Sequence, residues 1–563
     1  HSPELPAAVG ACRVSVSVAT KGRLDTRHFT HRTVRRMRRA RKINQPLIRL
    51  WDGDWKYRGR VSNAISASFQ WKLNETGVAV IEIPLHHFLA KWVLDVDHRL
   101  RNVHITMDRD GARWGGRMIS AVADVDDSGK ERLILTFNHD YEELRYILAW
   151  CNPFLPAALQ FPRSFLLAGP SIYMLKLALF VNLIRIYGNL WNIPADPLNP
   201  ANQTNLNMAT WWIVVKPSSF FGDSSLWTIL HSRFRTWADM AESTLEDAQL
   251  MVVCRRWLTG DPQPWPGFTP RHGALVIDIV DKSGYYSGTG TSGTIFDGLT
   301  RTIAQMADDF ITETLDLLTD SVDDTQYLVQ NWMGTMPARP WVILRCGDRS
   351  PITKSTFTIT PATAIQVVAG GHSMPFVNET MSAAIQTLAG GLGGLFGFSA
   401  LGNIVDTLLK PIYEDTVLAW WNFRHIVRAM HAGGSHYNEM LADDNSRAYS
   451  LSSLLALRTA FWATRSRFSH TVEFDAAAVP WIVGDNGCGH FFLGDRIGST
   501  IKGGPVGRVW VDQVQELTFP LVRSSTPGWK CVIGDRKDNE EPQARMLRRI
   551  REVTSALSEL GVL

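Results

Sequence analysis

Thiol chemistry is scarce in this chain: Cys12, Cys151, Cys254, Cys346, Cys488 and Cys531 are scattered over 563 residues with no C-x-x-C pair and no regular spacing. That scatter excludes a disulfide framework and a structural zinc module, so the six read as reduced core residues. Catalytic signatures are as sparse. Neither H-E-x-x-H nor G-x-S-x-G occurs, and His86-His87 are adjacent, so on a strand they face opposite sides. Cys488 lies two residues before His490, but catalytic thiol pairs are assembled in space, not by adjacency in sequence. No enzyme activity, metal or cofactor is expected. The glycine pattern Gly288-Thr289-Gly290-Thr291-Ser292-Gly293 matches a dinucleotide fingerprint but lies away from the nearest strand and outside any βαβ unit, so it reads as a loop. Long polar tracts are missing too, which argues against a disordered tail. The start, His1-Ser2-Pro3, has neither an initiator Met nor the regions of a secretory signal, so synthesis in a cytoplasm is expected, in a chain that is trimmed or seen only in part.

What is present is a globular composition, 45% hydrophobic and 20% charged. Single cores stop growing near ~250–300 residues, so several substructures are required. The net charge of +4 decides little. Its distribution says more: Arg32, Arg35, Arg36, Arg38, Arg39, Arg41 and Lys42 form a basic arm, whereas Asp308, Asp309, Glu313, Asp316 and Asp320 line a solvated helical face. The arm lacks interleaved aromatics for base stacking and reads as a solvated or docking segment. Tryptophan is abundant, at 21 residues, as suits subunit contacts.

Strand-like runs with turn signals fill 46–140: Leu47 to Trp51, Val61 to Trp71, Gly77 to Pro84, Val103 to Met107, Arg117 to Val125 and Leu133 to Phe137. Denser apolar runs predict helices over Tyr141 to Trp150, Ser164 to Tyr187 and Trp227 to Met240. Ser164 to Tyr187 is long enough to cross a bilayer, but Lys176 sits at its centre and Arg163 and Arg185 flank it, so a buried or inter-subunit helix is expected. Strands follow at Leu245 to Cys254, Gly273 to Val280 and Trp341 to Cys346, with a helix over Phe296 to Leu318 between them. Gly347-Asp348-Arg349, Gly494-Asp495-Arg496 and Gly534-Asp535-Arg536 each suit a tight turn leaving a strand. The fold class is therefore α+β and multidomain: several small antiparallel β-barrel or sandwich domains with helical insertions. The parts are a basic arm (1–45), a first β-domain (46–140), a helical insertion (141–244), a second β/α domain (245–350), a Gly-rich apolar insertion (351–440), a helix with a closing β-domain (441–540) and a C-terminal helix (541–563).

Two segments invite a mechanical role. Thr380 to Val405 is uncharged, and as a helix would run roughly 39 Å. Yet Gly390, Gly391, Gly393, Gly394, Gly397 and Gly402 each cost a helix about 1 kcal/mol relative to Ala. With Leu388, Leu395, Phe396 and Phe398 they suit a buried inter-subunit hairpin, a plug on a symmetry axis, or a sheltered segment that enters a membrane, with Trp420 and Trp421 placed as interfacial anchors. At the end, Met546, Ile550, Val553, Leu557 and Leu560 fall in a four-three-four-three spacing, which fits a short oligomer seam or a helix packed on its own domain.

FQWKLNETGVAVIEIPLHH (Phe69 to His87) and FFLGDRIG (Phe491 to Gly498) resemble the minor tail proteins that form the tail-tip or baseplate hub of siphophages infecting actinobacteria. Asn138 to Ile186 and LVIDIVDKSGYYSGTG (Leu275 to Gly290) are similar to the same group. The resemblance implies a homotrimeric structural protein of the virion, at the tail tip of a bacteriophage, made in the host cytoplasm. Its implied partners are the distal tail ring protein, the tape-measure protein, other minor tail proteins and the genomic DNA that passes during ejection, with transient host membrane contact. A membrane-active pore protein, and a tail-associated glycan binder or hydrolase, are the alternatives.

Overall fold

The computed structural model describes residues 46–125, 129, 131–161, 165–188, 205–283, 313–316, 340, 342–346, 350, 352–372, 420–447, 457, 460–461, 464–474, 481–505, 508–522 and 529–534. The basic arm, the glycine loop at 288–293, the Gly-rich stretch 380–405 and the C-terminal seam lie outside them.

Seven strands open the chain: β1 (Leu47–Asp52), β2 (Tyr57–Arg60), β3 (Ser66–Lys72), β4 (Val78–Pro84), β5 (Val103–Arg109), β6 (Ala112–Val125) and β7 (Glu131–His139), with a short helix α1 (Phe88–Leu94) between β4 and β5. β3 and β4 alternate strictly, turning Ala67, Phe69, Trp71, Ala79, Ile81 and Ile83 inward, as a sheet with one covered face requires. Each such large apolar side chain contributes ~1.5–3 kcal/mol by leaving water.

The next stretch departs from the sequence reading. Residues Asp140–Tyr146 form a 3₁₀ turn, followed by β8 (Leu148–Ala149), instead of one helix from Tyr141 to Trp150. The helix expected from Ser164 begins only at Ser171: β9 (Phe165–Pro170) precedes α2 (Ser171–Tyr187), and Pro170 fixes the boundary. Lys176 is buried there because Asp278 accepts its ammonium at 2.7 Å, and no helix among the described residues is long and apolar enough to cross a membrane. After β10 (Ile213–Val215), Trp227 begins a strand instead of a helix. β11 (Trp227–Ser232) pairs with β9, β12 (Arg235–Thr236) pairs with β8, and α3 (Trp237–Asp247) starts only where the Thr236 side chain caps Asp239 N. β13 (Leu250–Arg256) and β14 (Leu275–Asp281) follow, with β10 parallel to β14, and Leu245 belongs to α3 and not to a strand. These elements enclose their own core around Leu175, Leu179, Trp211, Trp237 and Ile277.

β15 (Glu313–Asp316) replaces the end of the helix expected over Phe296 to Leu318; pairing with a long partner strand overrides the three- and four-residue spacing. β16 (Ile343–Leu344), β17 (Ile352–Thr360), β18 (Ala364–His372), β19 (Trp420–Arg424), α4 (Ile426–Ala432), β20 (Tyr437–Arg447), β21 (Arg467–Phe474), β22 (Arg496–Ser499), β23 (Arg508–Val522) and β24 (Trp529–Gly534) complete the described chain. β19, β18 and β20 make a small separate sheet. Gly494 sits at φ 79° and Asp495 accepts Phe492 N, so Gly494-Asp495-Arg496 makes a tight turn, but one that leads into β22 instead of leaving a strand.

The main sheet holds fourteen strands and runs β17-β21-β24-β23-β3-β4-β7-β6-β5-β1-β2, with β15 and β22 also on β23 and β16 on β22. It is open. Among the described residues β17 and β2 do not meet, so the closed barrels expected from strand spacing are not formed. Among the described residues the chain is mostly β, with few helices. β3 pairs with β23 from Lys72↔Glu516 to Ser66↔Val522, so the first and last parts of the chain share one sheet and one core.

Candidate functional site

The turn inside the Phe69–His87 segment carries the first functional geometry. Asn74 sits at φ 51°, a left-handed conformation that Asn tolerates better than most residues. This aims its carboxamide at β13: Nδ2 donates to Leu250 O at 2.7 Å and Oδ1 accepts Val252 N at 2.9 Å. Thr76 Oγ1 donates to Glu142, and Gly77 O accepts His139 N at 2.8 Å. A segment read from sequence as plain strand and turn is thus the clasp between the first strands and the helical part.

Beside it lies a buried charge cluster. Arg256, 3% exposed, donates to Asp140 Oδ1 through Nη2 at 2.8 Å and Nε at 3.0 Å, and to Glu143 at 3.2 Å. Its guanidinium lies 4.8 Å from the Trp55 ring centre, and Trp55 stacks on His104 at 4.7 Å. Burial lowers the proton affinity of Arg256, but Asp140 and Glu143 outweigh this and raise it above the ordinary arginine value. His104 is pushed down to about 3 by burial, reinforced by the Arg256 charge, and stays neutral. Gly115 is required here, because a Cβ on it would overlap the Asp140 carboxylate. Arg113 adds a second bridge, holding Asp108, Asp261 and the Arg256 carbonyl together. No spacing rule flags these residues; Asp140 and Arg256 are 116 positions apart.

The C-terminal strands are tied in at the same junction. Lys282 pairs with Asp495 at 2.5 Å, and Gln513 Nε2 donates to Lys282 O at 3.0 Å. Gln70 Nε2 donates to Glu516 across the β3–β23 seam at 2.8 Å.

The arrangement nearest to catalysis is a hydrogen-bond chain that the sequence did not suggest. Ser355 Oγ lies 2.7 Å from His470 Nε2, and His470 Nδ1 lies 2.6 Å from Ser499 Oγ. His470 is fully buried, and burial pushes it down to about 4, so it is a weak base at neutral pH. Its third member is a hydroxyl, which cannot balance an imidazolium as a carboxylate does. The chain ties β17 and β21 to the end of β22. Among the described residues no group of three His, Cys, Asp or Glu could hold a metal ion, and none of Cys151, Cys254, Cys346, Cys488 and Cys531 is in a disulfide.

Of the residues singled out from sequence, Trp420 and Trp421 fall on β19, where they pair with Gly370 and Ala369, and Trp420 is 41% exposed. Leu388, Gly390, Gly391, Gly393, Gly394, Leu395, Phe396, Gly397 and Phe398 lie outside the described residues, as do Met546, Ile550, Val553, Leu557 and Leu560.

One large open sheet, clasped by buried ion pairs to a smaller part with its own core, defines a β-rich multi-part protein. Residues 47–535 match the family described as Siphovirus ReqiPepy6 Gp37-like protein, and the chain belongs to this family of siphophage minor tail proteins. It is 33% identical over 576 residues to minor tail protein Gp28 of Mycobacterium phage L5, covering 93% of this chain and 96% of that protein. It is 32% identical to minor tail protein Gp28 of Mycobacterium phage D29 over the same shares. Among solved structures, a tail protein from Neisseria meningitidis MC58 aligns over 88% of this chain and 97% of its own, at 10% identity and a TM-score of 0.39. Prophage tail protein gp18 from Listeria monocytogenes EGD-e aligns over 90% and 99%, at 9% identity and a TM-score of 0.37. Both scores lie below the level at which a shared fold is read.

Proposed function

We propose that this minor tail protein is a structural subunit of the tail tip, a homotrimeric hub that closes the tail channel and opens for release of the tape-measure protein and DNA. The observation that carries the reading is the β3–β23 seam, which joins strands from the two ends of the chain into one open sheet. A channel wall must bear load without shearing apart, and a continuous hydrogen-bonded sheet spreads load over many backbone bonds. The buried Asp140–Arg256 pair and the Asn74 clasp support the same reading, because they fix the helical part to that wall. At the β2 edge, exposed Arg58 and Arg60 disfavour further strand pairing, so copies would meet through faces and loops. The partners of such a hub are the distal tail ring protein and other minor tail proteins, and its role needs no cofactor or catalysis.

Electron microscopy of the intact particle tests the reading. Three copies closing the distal end of the tail are expected. Density for this chain elsewhere in the particle, or a ring left open before infection, overturns it.

A further inference from the structure

Between Arg145 and Arg163 the chain carries no charged residue; Ile147, Ala149 and Cys151 are buried, yet Tyr146 is 79%, Phe154 53%, Leu159 68% and Phe161 78% exposed. The loop that displays the last three is held in one shape by two amides. Asn152 N donates to Gln160 Oε1 at 2.8 Å, and Asn152 Nδ2 donates to Phe161 O at 2.9 Å. Gln160 Nε2 lies 3.0–3.1 Å from the carbonyls of Asn152, Leu155 and Pro156. The loop's own polar groups are thus turned inward to fix the backbone, while its apolar side chains face water. At the ~150–250 Å² that aromatic side chains present, those four expose on the order of 500 Å², approaching the ~800 Å² one partner gives to a standard interface.

A second, independent feature lies at the base of the loop. Arg185 packs over Trp150 at 4.2 Å and donates to Leu148 O at 3.2 Å, but its Nε is buried without a hydrogen-bond partner. No carboxylate among the described residues pairs with it, and burial alone lowers its proton affinity to about 10. A half-buried guanidinium beside an apolar surface, with no carboxylate among the described residues, is suited to take one from a partner.

We infer that the 152–161 loop is a docking knob for a different protein subunit of the tail, one that offers an apolar recess with a carboxylate on its rim for Arg185. The inference rests on the tail-protein reading. A preformed loop favours a partner of fixed shape over a fluid lipid surface, because its ordering cost is met before binding. A second copy meeting the loop about a two-fold axis would set Arg185 against its own equivalent, like charge on like charge.

Virions carrying p-benzoylphenylalanine in place of Leu159 test this, with Leu159→Asp alongside. On irradiation, the probe is expected to crosslink one other tail protein, identified by mass spectrometry. Leu159→Asp chain that melts as wild type is expected to enter particles at least ten-fold less. A probe that links only two copies of this chain, links lipid on host-cell contact, or links nothing overturns the inference. So does wild-type incorporation of Leu159→Asp. If Leu159→Asp melts lower, the crosslink alone decides. Absence of the unmodified chain from purified tails would instead sink the tail-protein reading.

Discussion

Replacing Arg256 with Met tests how the helical part is held to the main sheet. Met keeps most of the aliphatic stem and its packing against Trp55 but removes the charge and five donors. What remains is Asp140, 1% exposed, whose Oδ2 already lacks a hydrogen-bond partner and whose Oδ1 loses both of its contacts to Arg256. Removing one member of a buried pair costs ~3–5 kcal/mol, most of it from the charge left behind. In a chain of several substructures a single melting temperature is poorly defined, so hydrogen exchange is the better assay. Peptides covering Leu250–Arg256 and Asp140–Tyr146 should exchange roughly 150- to 5,000-fold faster, at 1.36 kcal/mol per decade. Peptides of β4 should change little. Adding Asp140→Asn to Arg256→Met should recover part of the loss, since no buried charge is then left alone. Acceleration below ten-fold, or no recovery in the double variant, refutes the reasoning.

Acid should loosen the structure through His104 and His470, which are held neutral at about 3 and about 4. Below pH 6.5 the unfolded chain takes up these protons and the folded chain does not, so stability falls from pH 6.5 towards pH 4. The loss is about 2 kcal/mol per histidine at pH 5, and His470→Gln should weaken the pH dependence of hydrogen exchange in β21. Asn74→Ala should cost ~2–3 kcal/mol, from two lost hydrogen bonds and a left-handed backbone that Ala resists, and Asn74→Gly about 1 kcal/mol less, read by urea unfolding followed at the α2–β13 region. Lys176→Met should be mild, about 1–2 kcal/mol by the same measurement, because Asp278 keeps Lys216 at 3.0 Å.

Six of the first seven strands were legible as apolar runs ended by turn signals, and in β3 and β4 turning one face into a core imposes the period of two; β2, only four residues long with one buried, was not. The helical part was legible in kind but not in extent. Phe165–Pro170 and Trp227–Ser232 are apolar enough for helix, and only their pairing with each other makes them strands. Closure of the sheets could not be read from spacing, since it depends on which distant strand takes up each edge; here β23 takes the edge of β3. The buried cluster was invisible for the same reason. Asp140 and Arg256 are 116 positions apart, and no local pattern links them until the fold brings them together. Phe69 to His87 carried the family likeness, and its Asn74 turn is what clasps β13.

The β3–β23 seam also sets an order of events during synthesis. Gln70 must wait for Glu516, 446 residues later, which at ribosomal rates of ~5–20 residues per second leaves the edge of β3 open for roughly 20–90 s. An open edge beside Phe69 and Trp71 is a template for mispairing, above all on polysomes where many identical nascent chains crowd together. Infection at higher temperature or with depleted host chaperones should therefore lower the yield of this protein before it affects phage proteins built from local contacts.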